Sequence, residues 1–203
     1  LLPLKLPASP VKVRPHRPYT QSSRASAPDI STAMLRDTGC TYALCGHSER
    51  RHVIGENDEL VNAKVRAAIE GGLKPILCVG EKLEQREADQ TSQIIEQQIT
   101  KGLSGVSEEQ ISEVTIAYEP VWAIGTGKTA TPDQAQDVHA QIRALLAKLY
   151  SEEIASQMRI QYGGSAKPNN AADLMAEKDI DGLLVGGASL KAEDFLSIIK
   201  VSG

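Results

Sequence analysis

Residues 115–129 read TIAYEPVWAIGTGKT, and this stretch decides the fold. It opens with a short apolar run at residues 115–118, which has the length and composition of a buried parallel strand. The run ends at a single carboxylate, Glu119, and Pro120 follows at once. The remainder is apolar up to Gly125, and the glycines there permit a hinge or a close approach of the backbone. The pattern predicts a buried strand that delivers an acid next to a lid-like loop.

Four similar short runs lie on either side of this stretch, each bordered by glycine or by charged residues. The five strand candidates are residues 42–46, 75–79, 115–118, 159–162 and 182–185. Amphipathic helical stretches separate them, and the clearest has apolar residues at 138, 142, 145, 146 and 149. Thr131, Pro132 and Gln134 form a helix start before it. Five strands, each followed by a helix, predict an α/β fold with a parallel sheet, either open and doubly wound or closed into a barrel.

The overall composition is that of one globular domain. The chain has 203 residues, of which 41% are hydrophobic and 24% are charged, and its formal net charge is −4. This balance argues against a broad nucleic-acid surface, and no apolar run approaches the length of a membrane span. The three cysteines form no CxxC pair, which argues against a disulfide scaffold and fits a reducing compartment. We therefore expect a cytoplasmic protein without nucleic-acid or membrane partners.

Residues 1–30 differ in composition from the rest of the chain. They hold six of the ten prolines, five basic residues, one acid and no glycine. Prolines at this density forbid a long helix and disfavour an inner strand, so this segment is predicted to be irregular or disordered. Its Arg- and Ser-rich composition also fits an organelle transit segment. We therefore divide the chain into a proline-rich segment, residues 1–30, and a domain, residues 31–203.

Polar residues just past the strands are the candidate catalytic groups, because parallel sheets and barrels place their chemistry there. His47 follows the first strand candidate and could polarise a carbonyl or move protons, or could be a structural histidine bonded to the backbone. His52 lies in a charged turn and is interpreted as structural. Glu119 is suited to general-base catalysis, because apolar neighbours would raise its pKa.

Two glycine pairs favour a phosphate site. Residues 163–165 are GGS and residues 186–189 are GGAS, each directly after a strand candidate. Bare main-chain N–H groups there can hold a dianionic phosphate, although the same glycines would also serve tight turns. Nucleotide binding at GTGKT, residues 125–129, is disfavoured, because no glycine precedes Gly127 by five residues as a P-loop requires. No metal-site spacing of histidines or cysteines occurs, so no metal or other cofactor is expected.

The strand ends, taken in order, resemble the motifs of the triosephosphate isomerase family. The matching stretches are CGHSERR at residues 45–51, YEPVWAIGTGKT at 118–129, YGGS at 162–165 and LVGGAS at 184–189. The resemblance extends from about Ile30 to Lys200. It implies a (β/α)8 TIM barrel, a cytoplasmic homodimer, and interconversion of D-glyceraldehyde 3-phosphate and dihydroxyacetone phosphate in glycolysis and gluconeogenesis, without a cofactor.

The resemblance also implies catalytic roles. Glu119 would be the base that moves a proton between neighbouring substrate carbons, and a neutral His47 would polarise the carbonyls and stabilise the enediolate. Residues 120–129 would close as a lid and exclude water.

The remaining implied roles concern binding and support. Backbone N–H groups of Gly125, Ser165 and Gly187 would hold the substrate phosphate, with Gly186 shaping that loop. Glu49 would be a buried carboxylate near the site, and Glu56 would be a structural acid paired with Arg50.

The chain also departs from the family pattern. Only five βα units are recognised, similar to the last five of eight, and the asparagine and lysine that end the family's first strand have no counterpart. Lys5 and Lys12 lie in proline-rich sequence without that motif. Three interpretations stay open: an N-terminally incomplete sequence of a full enzyme, an inactive truncated paralogue or non-catalytic binding protein, and a shortened chain that retains some catalysis. An open five-stranded sheet would expose two unpaired edges, so we expect this chain alone to aggregate or stay molten.

Overall fold

The computed structural model describes residues 11–12, 30–124 and 129–201. Its strands form one parallel sheet whose order along the sheet is the order along the chain. The strands are β1 (Val11–Lys12), β2 (Tyr42–Cys45), β3 (Lys74–Val79), β4 (Thr115–Tyr118), β5 (Ile160–Tyr162) and β6 (Gly182–Leu183). The register aligns Val79, Tyr118 and Tyr162, so these three strands end side by side. The residues that follow them therefore meet at one edge.

The strand order distinguishes between the two windings that the sequence leaves open. A doubly wound sheet reverses its strand order at a switch point, and ligands bind in the crevice there. No reversal occurs among the described strands. With right-handed crossovers, successive parallel strands in one direction keep their helices on the same face, as in a barrel.

Helices fill the connections between the strands. In the part of the chain that the structure describes they are α1 (Thr32–Asp37), α2 (Ser48–His52), α3 (Asp58–Glu70), α4 (Leu83–Glu87), α5 (Thr91–Gly102), α6 (Glu108–Ile111), α7 (Pro132–Leu149), α8 (Glu152–Gln157), α9 (Ala171–Met175) and α10 (Ala192–Val201). Short 3-10 helices span Val121–Ala123 and Gly187–Leu190. The predicted start of α7 is confirmed, with Pro132 as the first helical residue. Thr131 Oγ1 accepts a hydrogen bond from the N–H of Gln134, and Gln134 Oε1 accepts one from the N–H of Thr131.

Two local predictions need correction. His52 does not lie in a turn but is the last residue of α2, a helix too short to show apolar periodicity. Val11 and Lys12 form a strand inside the segment expected to be irregular, pairing in parallel with Ala43 and Leu44. The four residues 11–14 contain no proline, and the edge of a sheet tolerates such a segment because only one side must be paired.

Buried apolar clusters lie on both faces of the sheet, because neighbouring residues of a strand point to opposite faces. Leu77, Ile116 and Ile160 belong to the main cluster, where they pack with buried residues of α3, α5 and α7. On the other face a smaller cluster contains Leu44, Ile76, Cys78 and Ala117, with Tyr42 and Leu184 partly buried against it. The second cluster lies beneath the edge where the strands end.

Neither a membrane-crossing helix nor a metal cluster is found in the described ranges. None of the helices there combines the length and apolar character needed to cross a bilayer. The same residues contain no group of three or more histidine, cysteine, aspartate or glutamate side chains that could hold a metal ion.

Candidate functional site

His47 is placed by the sharp turn that ends β2. Gly46 precedes it with a φ of +75°, and a Cβ there would lie 2.8 Å from Val61 Cγ1, so only glycine fits. His47 is then the N-cap of α2, and its Nδ1 accepts a hydrogen bond of 3.4 Å from the N–H of Glu49. A ring nitrogen that accepts from an N–H carries no proton. The neutral ring is therefore protonated at Nε2.

Glu119 directly follows β4 and is only 2% exposed. Its Oε2 accepts from the main-chain N–H of Ser48 at 2.8 Å, and its Oε1 lies 3.3 Å from His47 Nε2. Gly163 makes room for it, because a Cβ there would lie 2.8 Å from Glu119 Cγ. The two predicted catalytic residues are thus brought together across 72 positions of sequence.

Burial sets the proton affinity of Glu119. Loss of water raises the pKa of this carboxyl from 4.5 to about 7. Hydrogen bonds from Ser48 and Cys78, and the charge of Arg51, act in the opposite direction and limit the rise. A carboxyl with this pKa can both take up and release a proton near neutrality.

A cavity of about 650 Å³ opens in front of these two side chains. His47 and Glu119 line it together with Leu44 and Ile124. The rest of the wall comes from the two glycine loops, residues 163–169 and 184–188, and from Lys191 and Asp194. The cavity therefore joins a histidine–carboxylate pair to a glycine-rich wall, which is the size and chemistry of a small anionic ligand site.

The glycine loops present main-chain donors to the cavity. Ser165 is half-buried, while Gly186 and Gly187 are exposed at the start of the 3-10 helix Gly187–Leu190. Within the described residues, the N–H groups of Ser165 and Gly187 donate to no protein acceptor. Asn170 fixes the first loop, since its Nδ2 donates to the Ser165 carbonyl at 2.9 Å. Unpaired N–H groups beside a helix start can bind an oxyanion.

Only part of the predicted lid is described. Residues 120–124 and residue 129 are within the described ranges, whereas Gly125, one of the predicted phosphate ligands, lies outside them. The described part is anchored by a buried acid, Glu81: Trp122 Nε1 donates to it at 2.9 Å and the Tyr118 hydroxyl at 3.1 Å. The Arg86 guanidinium lies 4.8 Å from the centre of the Trp122 ring.

The sequence analysis missed Glu81. Its position gave a usable signal, because it follows β3 by two residues, as His47 follows β2. Arg51 was also missed. It is a buried side chain of α2 whose Nε donates to the Gly46 carbonyl at 2.8 Å and whose Nη1 pairs with Asp58 at 2.7 Å.

The two supporting acids behave differently. Glu56 is buried and accepts from Arg50 Nε at 2.5 Å, as expected, and also from the fully buried Lys64. Glu49 was expected to be buried, and this expectation is wrong: it is exposed. Ser48 and Arg51 occupy the buried side of α2, and Glu49, which is next to Ser48, falls on the other side.

The winding of the sheet and the position of this cavity define an α/β protein of the barrel class, with its site at the carboxyl ends of parallel strands. The family model for triosephosphate isomerase matches residues 5–202. The chain therefore belongs to the triosephosphate isomerase family. The match begins at residue 5, well before Ile30, where the motif resemblance was expected to begin.

Curated relatives agree with the family match. A triosephosphate isomerase of Carboxydothermus hydrogenoformans is 60% identical over 174 residues, which cover 86% of this chain and 69% of that protein. Those of Fusobacterium nucleatum and Rhodopirellula baltica are each 52% identical, over 192 and 194 residues. These alignments cover 95% and 96% of this chain and 76% of each relative.

Proposed function

We propose that this chain interconverts D-glyceraldehyde 3-phosphate and dihydroxyacetone phosphate through an enediolate. The observation that carries the proposal is the cavity that joins His47 and Glu119, 3.3 Å apart, to two glycine loops with unpaired N–H groups. Its support is the name carried by the curated relatives at 52–60% identity.

In this mechanism Glu119 acts as the only base on the substrate carbons. Its carboxylate takes the proton from the carbon next to the substrate carbonyl, and the electron pair of that C–H bond forms the enediolate double bond. His47 Nε2–H donates a hydrogen bond to the oxygen on which charge develops. His47 Nε2–H gives its proton to the former carbonyl oxygen, and Nε2 takes the proton of the neighbouring hydroxyl, so that the carbonyl can form on the other carbon. The protonated Glu119 then returns a proton to the neighbouring carbon, so that both residues end unchanged. The pKa of about 7 suits both directions of transfer.

Phosphate binding is assigned to main-chain groups. The N–H groups of Ser165 and Gly187 would hold the phosphate oxygens, with Gly186 shaping the turn and Gly125 donating from the lid. Residues 120–129 would close over the substrate and exclude water, which limits the loss of phosphate from the enediolate.

The assignment is tested with the purified chain and glyceraldehyde 3-phosphate in D2O, followed by proton NMR. We expect dihydroxyacetone phosphate to form with deuterium at the carbon that exchanges its proton. Glu119→Gln should lower the rate by about 10²- to 10⁴-fold, while Glu84→Gln, an exposed acid, should leave it unchanged. An inactive wild-type chain with a cooperative unfolding transition would overturn the proposal and support a non-catalytic binding protein.

Phosphate binding and lid movement have a separate test in Trp122, the single tryptophan of the chain. Because its indole is bonded to Glu81, a lid that closes on phosphate should break this bond and change the emission. We expect a saturable change on titration with inorganic phosphate, and none with sodium chloride at equal ionic strength. Equal responses to both salts would contradict the assignment.

We also propose the family's quaternary and cellular setting for this chain: a homodimer in the cytoplasm. Val53 and Ile54, adjacent residues directly after α2, are 75% and 49% exposed in the single chain and form an apolar patch that a second copy could cover. Sedimentation equilibrium should give a molecular mass twice that of the chain. The Val53→Asp variant should instead have the mass of a single chain. A monomeric wild type would contradict the homodimer.

We further propose that β2 to α10 correspond to the last five βα units of the family barrel. In this division residues 31–203 form the partial-barrel domain and residues 1–30 form a proline-rich segment, in which the structure describes the strand β1. Limited proteolysis tests the division: cleavage before residue 31 should come first and leave the domain intact. Early cleavage within β2–β6 would contradict it.

A further inference from the structure

Strand β3 extends beyond its neighbour β2. Cys45, the last residue of β2, pairs with Leu77, and Gly46 then turns the chain away. Lys74 N–H donates to Thr41, on the β2 side, whereas Glu119 N–H donates to the Val79 carbonyl, on the β4 side. Alternate residues of a strand point their main-chain groups to opposite sides. The main-chain N–H and C=O groups of Cys78 and Gly80 therefore point to the β2 side of the sheet, beyond the last residue of β2, where no strand residue is left to pair with them.

Side chains take the place of the missing strand there. Arg51 Nη2 donates to the Cys78 carbonyl at 3.2 Å. Gln98, a buried residue of α5, makes two bonds to Gly80: its Oε1 accepts from the Gly80 N–H at 2.8 Å and its Nε2 donates to the Gly80 carbonyl at 3.2 Å. One amide side chain thus satisfies both main-chain groups of one residue, as a neighbouring strand would.

Gly80 in turn supports the backbone of Glu119. A Cβ at Gly80 would lie 1.8 Å from the Glu119 carbonyl oxygen, so the two main chains are in direct contact and only glycine fits. A main-chain hydrogen bond lies on either side of this contact. The Glu119 N–H donates to the Val79 carbonyl at 2.7 Å, and the Val121 N–H donates to the Glu81 carbonyl at 3.1 Å. The position of Glu119 is therefore set by where Gly80 is held.

We propose that Gln98 is a positioning residue for Glu119: by pairing with both main-chain groups of Gly80, it extends the sheet beyond β2 and fixes the strand end on which the Glu119 backbone rests. This inference rests on the proposed function for its activity test. Gln98 lies on a helix behind the sheet and does not line the cavity, so it acts only through Gly80.

The test is Gln98→Met, which keeps the length of the side chain and removes both hydrogen bonds. We expect kcat for the isomerisation to fall about 10- to 100-fold with KM unchanged, since a small displacement of a catalytic group affects the reaction step more than substrate binding. The acid limb of the pH profile of kcat/KM should also move, because Glu119 would sit differently against Ser48 and His47. If Gln98 contributed only to stability, the folded molecules of Gln98→Met would have the kcat and the acid limb of the wild type.

Two matched variants on α5 separate positioning from loss of stability. Gln93→Met makes the same substitution at an exposed position, and Ile95→Val trims a core residue of the same helix. Both should keep the wild-type kcat and pH profile. Gln98→Asn, which keeps a neutral amide but is too short by one methylene to make both bonds to Gly80, should give an intermediate loss and serves if Gln98→Met does not fold. Wild-type kcat and pH profile in folded Gln98→Met or Gln98→Asn would overturn the inference.

A carboxyl titration keeps this inference distinct from the proposed function. In protein with carbon-13 at the glutamate carboxyls, the Glu119 resonance is assigned by its loss in Glu119→Gln. Its titration midpoint should differ between wild type and Gln98→Met, and should be the same in Ile95→Val. If the wild-type chain does not isomerise triose phosphates, the proposed function fails. The comparison of Glu119 titration midpoints then decides by itself whether Gln98 positions Glu119. Identical midpoints in wild type and Gln98→Met would then overturn the positioning role.

Discussion

Glu119 Oε1 lies 3.3 Å from His47 Nε2, while Glu119 Oε2 accepts from the N–H of Ser48. Both partners belong to the same short turn, because His47 caps α2 and Ser48 begins it. One helix start therefore holds the Glu119 carboxyl that follows β4 and orients the His47 ring that follows β2. Since Nδ1 of His47 accepts from the helix backbone, its Nε2–H faces Glu119 and the cavity.

The first prediction concerns the pH dependence of the reaction. Glu119 must be deprotonated to act as a base, and its pKa is raised to about 7 by burial. We expect kcat/KM to rise with pH, about tenfold per pH unit below 7, and to level off above it. A coupled assay from pH 5 to 9 measures this. An acid limb centred near the ordinary glutamate value of 4.5 would contradict it.

The second prediction concerns stability, and its sign is opposite to that of a salt-bridged acid. The folded chain holds the Glu119 proton up to about pH 7, whereas the unfolded chain releases it near 4.5. The contribution of Glu119 to the free energy of unfolding therefore falls by about 3 kcal/mol as pH rises through this window. Glu119→Gln has no such loss and should be more stable than wild type at pH 8, by urea unfolding. The difference between the two proteins should vanish near pH 4, and a constant difference would contradict the assignment.

The third prediction concerns His139, which is buried beside Tyr118 and Tyr162. Burial lowers its pKa from 6.5 to about 4, and its Nδ1 donates to the Asp179 carbonyl at 3.1 Å. The unfolded chain gains the proton near pH 6.5 and the folded chain only near 4. The contribution of His139 to the free energy of unfolding is therefore complete above pH 6.5 and falls by about 3 kcal/mol as pH drops to 4, opposite in direction to that of Glu119. Unfolding of His139→Asn should lack this dependence; an equal acid slope in both proteins would refute it.

The fourth prediction contrasts two lysine–glutamate pairs. Lys64 is fully buried and pairs with buried Glu56, while Lys101 and Glu59 pair at 3.3 Å on the surface. Lys64→Ala should lower the free energy of unfolding by about 3 kcal/mol or more, because a buried carboxylate loses a partner. Lys101→Ala should change it little, because water screens the exposed pair.

Glu56→Gln combined with Lys64→Met tests the cause in that pair. Removing both charges should recover part of the loss, because no buried carboxylate is then left without its partner. Urea unfolding measures all three proteins. Equal stability of Lys64→Ala and Lys101→Ala would show that the buried pair is not what stabilises this part of the core.

The sequence by itself determined the local features of this protein. The strands predicted at 42–46, 75–79 and 115–118 lie within one residue of the observed bounds. The cap of α7 at Thr131 and the candidates His47 and Glu119 also follow from short-range patterns. A run of apolar residues, a capping residue or a strand end is specified within a few positions, so its signal is visible without a fold. The motif order also sufficed to identify the family.

Only the tertiary structure decided the relations between distant segments. The Ser48–Glu119 bond joins positions 71 apart, and Gln98 reaches Gly80 from α5, 18 positions further along the chain. No spacing rule encodes such contacts, because they depend on which strands become neighbours and where one ends before the other. The exposure of Glu49 was decided in the same way, by which side of α2 its neighbours occupy. Residue types are written in the sequence, whereas their burial and partners arise only when the sheet brings the strand ends together.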